Sequence, residues 1–109
     1  MLREWKAAFE DAYSTALRLF GPDKCFRKYL PATDSWKGAP SAPLSDAVLQ
    51  AINLVGSEKL SKLTPERAQA NLARLFGDRA FVASIEKGTN ARAAIIYRVE
   101  SVAKALMEV

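Results

Sequence analysis

Apolar residues in this chain recur at intervals of three and four, and glycine or proline interrupts the recurrence at almost every boundary. That pairing of signals restricts the fold more than any other feature of the sequence, because period 3.6 with strong stops describes short amphipathic helices packed on one another. From Leu2 to Phe20 the stripe is Leu2, Trp5, Phe9, Ala12, Tyr13, Ala16 and Phe20, with Glu4, Asp11, Ser14 and Arg18 opposite. Gly21 can take positive φ and Pro22 cannot continue a helix, so the segment stops there. Asp23 then predicts a cap for a short helix over Lys24 to Leu30, with Phe26, Tyr29 and Leu30 folded back on the first helix.

Residues 31–43 (PATDSWKGAPSAP) hold three prolines and a glycine and lack a helical period, which predicts a long loop. Trp36 within it either pins the loop to the core or presents an aromatic face to a base or a partner. A helix is expected from Ser45, with Leu44, Ala47, Val48, Ala51, Ile52 and Val55 on its apolar face and Gly56 at its end. Leu60 and Leu63 belong to a connecting turn or short helix. "TPER" marks the next start: Thr64 caps, Pro65 suits the first turn, and Glu66 suits the positive end of the helix dipole. Ala68, Leu72, Leu75 and Phe76 point inward before Gly77, and Asp78 caps a short helix that buries Phe81, Val82 and Ile85. The last helix, from about Asn90 to Met107, carries Ala91, Ile95, Val99, Val102 and Leu106 on one face and the charges Glu100, Lys104 and Glu108 on another. No segment alternates with period two for long enough to argue a strand. The chain reads as a single all-α domain over residues 1–109, a compact bundle of about six helices, four longer and two or three short, either standing alone or as a fragment of a longer protein.

Composition then narrows the chemistry. The chain contains no histidine and one cysteine, so neither a Cys/His zinc site nor a Ser-His-Asp or Cys-His mechanism can be built within it. Its twelve acids are dispersed, with no D-x-D or E-x-x-E spacing to pair them for a cation. These features predict no catalytic residue, no metal and no cofactor. The lone Cys25 fits a reducing cytosol, and no stretch approaches the ~20 apolar residues of a membrane span. Sixteen Lys/Arg against twelve Asp/Glu leave a net charge of +4, which permits an anionic partner without requiring one.

Two sites for anion or nucleic-acid contact suggest themselves. Lys87, Gly88, Thr89, Asn90 and Arg92 surround a turn at a helix start, where free amides and two cations can hold an anion. The same residues also read as helix punctuation, with Gly88 ending one helix and Thr89 or Asn90 capping the next, and they do not follow the P-loop pattern. Arg67, Asn71 and Arg74, at i, i+4 and i+7, predict an outward row on the TPER helix that can read bases, touch phosphates or simply face solvent. Lys24, Arg27 and Lys28 form a smaller basic group.

The C-terminal half, with Phe81, Ser84 and Ile85, then Gly88 and Thr89, then Tyr97, Arg98, Val99 and Glu100, resembles the helical segment downstream of the ParB/sulfiredoxin-like domain in GmrSD-type restriction proteins. The opening "AAFEDAYSTALRLFGPDKCFRKYL" is similar to the helix of that family leading to "FG…FR". The resemblance implies a part of a bacterial system that cuts modified or foreign DNA using nucleotide hydrolysis. This chain lacks the family's D-G-Q-Q-R nucleotidase motif and has no histidine for a His-Asn-His nuclease, so no catalytic residue carries over. What is implied is a non-catalytic cytoplasmic module that positions the catalytic domain or contacts DNA. The alternatives are a small phage- or mobile-element-encoded protein that binds and inhibits a partner, and an autonomous basic DNA-binding domain. Arg92 and Arg98 are the nearest candidates for nucleic acid or interdomain carboxylates, and Arg98, near the rim of the buried face, is expected to bond within the protein.

Overall fold

The computed structural model of the chain describes residues 2–38, 41–86 and 91–108. Six helices and one small hairpin follow in the order α1 (Leu2–Lys24), β1 (Lys28–Leu30), β2 (Ser35–Lys37), α2 (Ala42–Val55), α3 (Ser57–Leu60), α4 (Pro65–Leu75), α5 (Arg79–Glu86) and α6 (Arg92–Met107). The radius of gyration, 13.2 Å, is close to the ~13 Å of a compact hundred-residue chain. The all-α bundle expected from the periodicity is therefore the architecture observed, with the hairpin as its one β element among the described residues. Helix α6 lies against α2, α4 and α5, while α1 closes the bundle on α2 and α4. Among the described residues no helix is long and apolar enough to cross a membrane.

The stop at Gly21 holds as a break within α1: Gly21 has φ 74° and ψ 162°, and one further turn follows it. Ala12, Ala16, Leu19 and Phe20 are buried there, whereas Tyr13 is 43% exposed with its ring 6.1 Å from that of Phe26. Leu19 rather than Tyr13 completes the inward stripe.

The helix expected over Lys24 to Leu30 does not form, and the expected loop over 31–43 is not a loop throughout. Phe26 adopts φ 64°, which ends helical geometry, and residues 28–30 pair antiparallel with 35–37 in the register Lys28↔Lys37, Tyr29↔Trp36, Leu30↔Ser35. The turn between them is made by Pro31, a good second residue of a type I turn, and by Asp34 at φ 47°, a conformation short polar residues tolerate. Asp34 also accepts a hydrogen bond from the Tyr29 hydroxyl, which raises the tyrosine pKa. Three-residue strands are too short to show a period, so aromatic pairing rather than alternation holds the hairpin. Tyr29 and Trp36 lie 5.1 Å apart, Trp36 meets Phe76 edge-on at 6.3 Å, and Phe76 meets Phe81 edge-on at 5.5 Å. Trp36 thus pins this segment to the core, in the first of its two expected roles.

Helix α2 starts earlier than the expected Ser45, because Ser41 caps it: its hydroxyl accepts from the Leu44 amide at 3.4 Å, and Pro43 sits in the first turn. The Ser41 amide donates to the Phe26 carbonyl at 2.9 Å, which ties the entry of α2 to the exit of α1. Leu44, Ala47, Val48, Ala51 and Ile52 are buried as the pattern predicts, and Leu60 and Leu63 seal the connection to α4.

Cys25 is buried and free, and burial pushes its thiol up to about 11 from the ordinary 9.0. The folded state therefore holds a proton that the unfolded state releases first, so this group's contribution is complete below pH 9.0 and disappears as pH rises toward about 11. Urea denaturation across that interval is expected to show a loss of stability that is smaller in Cys25→Ala, and labelling of the native thiol at neutral pH should be slow until the chain unfolds. Equal pH dependence in the two proteins would contradict the assignment.

Candidate functional site

Of the polar side chains that sequence spacing offered for recognition, Asn71 and Arg74 bond across the seam of α4 and α6. Helix α4 begins as "TPER" predicts, with Thr64 Oγ1 accepting from the Arg67 amide at 3.2 Å. Arg67 is exposed. Asn71 is not on the outer side: it is 2% exposed and faces the end of α6. Its Nδ2 donates to the carbonyls of Ala105 at 3.0 Å and Glu108 at 2.6 Å, satisfying acceptors that a helix C-terminus leaves without partners. Arg74 leans back to donate to Asn71 Oδ1 and reaches Glu108 Oε2 at 3.2 Å. The outward placement expected of this row is therefore corrected at Asn71, while Arg67 and Arg74 are exposed as expected. The error is one of angle, since Ala68, Asn71, Leu72 and Leu75 share the inward arc that apolar counting alone assigned to Ala68, Leu72, Leu75 and Phe76.

Asp78 joins α5 to α6. One carboxylate oxygen accepts from the Ala80 amide at 2.9 Å and caps α5; the other accepts from the Tyr97 hydroxyl of α6 at 2.7 Å. The bond from Tyr97 lowers the Asp78 pKa, and the same bond raises that of Tyr97. Deeper between α5 and α6, Arg98 is 4% exposed and donates from Nη1 to the Ser84 carbonyl at 3.0 Å. The internal role expected for Arg98 is the one observed.

Of the residues around the predicted Gly88 turn, Lys87, Gly88, Thr89 and Asn90 lie outside the described residues. Arg92 is exposed at the first position of α6, and Ala91 occupies the cap position expected for Thr89 or Asn90. Among the described residues no three His, Cys, Asp or Glu side chains gather to hold a metal ion.

Among the described residues a groove of ≈ 470 Å³ opens between α4 and α6. Arg74 and Lys104 bring positive charge to it, Asp78, Glu100 and Glu108 negative charge, and Tyr97 an aromatic ring that is 40% exposed. Sequence reasoning missed this groove. Tyr97, Glu100 and Lys104 were legible as residues of α6, but nothing in their spacing shows that α4 stands beside them. No protein family, curated protein or solved structure matches the chain.

Proposed function

We propose that this chain is a non-catalytic helical module of a GmrSD-type restriction protein, and that it positions the catalytic domain by docking a protein surface in the α4–α6 groove. The family part of this reading rests on the resemblance carried by Phe81, Ser84, Ile85, Gly88, Thr89, Tyr97, Arg98, Val99 and Glu100. The observation supporting a protein partner is the charge of the groove. Three acids against two bases around a partly exposed tyrosine suit the mixed polar rim and aromatic anchor of a protein interface, and disfavour a phosphate backbone.

The test is co-purification, followed by calorimetry, with the D-G-Q-Q-R nucleotidase domain encoded in the same frame or beside it. Complex formation is expected, and reversing the exposed charges by Glu100→Lys with Lys104→Glu should weaken it about ten-fold, or ~1.4 kcal/mol, without unfolding the chain. Absence of any such domain at the locus would remove the family reading. A complex indifferent to both reversals would remove the groove.

A further inference from the structure

Helix α6 turns one face to solvent along its length. Ala93, Tyr97, Glu100, Lys104 and Met107 recur at spacings of four, three, four and three, and all five are exposed. That spacing makes one continuous stripe on a helix, of the kind along which two helices pack. The opposite face, with Val99, Val102, Ala103 and Leu106, is already buried in the bundle. The stripe is apolar at both ends and charged in the middle. Tyr97 and Met107 flank Glu100 and Lys104, and the exposed Ile96 widens the apolar end beside Tyr97. Glu108 is engaged by Arg74, whereas neither Glu100 nor Lys104 has an ion-pair partner among the described residues.

We propose that this face of α6 pairs with the same face of a second copy of the chain, the two helices running antiparallel about a two-fold axis. The stripe is its own complement in that direction. A register that sets Glu100 against Lys104 of the second copy also sets Tyr97 against its Met107, because both pairs are symmetric about position 102. Opposite charges then meet twice at the centre, and a thioether meets an aromatic ring at each end. The Tyr97 hydroxyl stays bonded to Asp78 while its partly exposed ring offers the contact. A parallel pair has no such register, since Glu100 would face Glu100 and Lys104 would face Lys104. The 16 residues of α6 give a face about 24 Å long, a small contact that belongs with the weak interfaces of less than ~1,200 Å². The pair therefore forms only at high protein concentration. It shares Glu100 and Lys104 with the α4–α6 groove and competes with a partner there, but it does not depend on one.

The experiment is sedimentation velocity over a concentration series reaching the millimolar range. It is run on the whole chain, on Glu100→Lys, on Lys104→Glu, on an equimolar mixture of these two variants, and on the double variant. The unmodified chain should pass from monomer to dimer. Each single reversal sets like charges opposite each other at both central contacts and should weaken self-association at least about ten-fold. The mixture, and the double variant alone, restore opposite charges and should recover the dimer. Melting curves of the two single variants at low concentration should match that of the unmodified chain, which distinguishes a lost contact from a lost fold. A chain that stays monomeric at every concentration would overturn the proposal. So would single variants that dimerise as well as the unmodified chain, or a mixture and double variant that dimerise no better than the single variants. The double variant is expected to lose affinity for the nucleotidase domain and keep the dimer, so the groove reading and the α6 pairing fail separately.

Discussion

Replacing Phe81 with alanine is expected to lower the melting temperature by about 15–25 °C. Phe81 is fully buried, meets Phe76 edge-on at 5.5 Å, and ends the aromatic series that runs through Trp36 to the hairpin. Removing a buried phenyl group forfeits its transfer free energy and leaves a cavity that neighbours fill only in part, about 3–5 kcal/mol together. Stability of small domains is roughly 5–15 kcal/mol, so the variant would keep only a fraction of it. The loss should also loosen the hairpin, because Phe76 would retain Trp36 on one side and a void on the other. Thermal denaturation followed by circular dichroism, with Trp fluorescence as a second probe, measures both effects. A shift of only a few degrees would mean that the ring does not sit at the centre of the bundle.

The second large effect is expected at Arg98. Its guanidinium is buried, and its bond to the Ser84 carbonyl spans the α5–α6 seam. Arg98→Ala should destabilise the chain by about 2–4 kcal/mol, combining an acceptor left without its donor with the packing of a long aliphatic stem. Arg98→Met separates these contributions. It keeps the volume of the stem and discards the charge, and apolar replacement of buried ionic groups is often nearly neutral, so it should recover at least half of the loss. Urea denaturation of the three proteins gives the comparison. Equal stability of Arg98→Ala and the unmodified chain would place the guanidinium outside the fold's internal bonding and return it to the surface as a ligand contact.

What the sequence disclosed and what it concealed divide along a physical line. Helix existence was legible because it depends on local periodicity and on stops such as Gly21, Gly56 and Thr64-Pro65, which act within a few residues. The hairpin was not, because strands of three residues carry too few alternations to outweigh a nearby capping signal at Asp23; the Pro31 and Asp34 turn residues were present but unweighted. Burial of Asn71 was concealed for a different reason. An amide within an inward arc looks like part of a polar row until another helix end supplies the carbonyls it bonds, and Ala105 and Glu108 lie far away in sequence. Arg98 was read correctly because its place at the rim of an apolar face is itself a local feature. The α4–α6 groove depends on the juxtaposition of two helices, which no local pattern specifies.

The central claim is that Asn71 is a joint between α4 and the end of α6 and not a ligand contact, and Asn71→Ala measured by two readouts tests it most directly. The prediction is a loss of about 2 kcal/mol in urea denaturation, as the end of α6 loses the donor to its Ala105 and Glu108 carbonyls, with the retention of the folded protein on a duplex-DNA column the same as that of the unmodified chain. Unaltered stability together with weakened DNA binding would contradict the claim and restore Asn71 to a recognition surface.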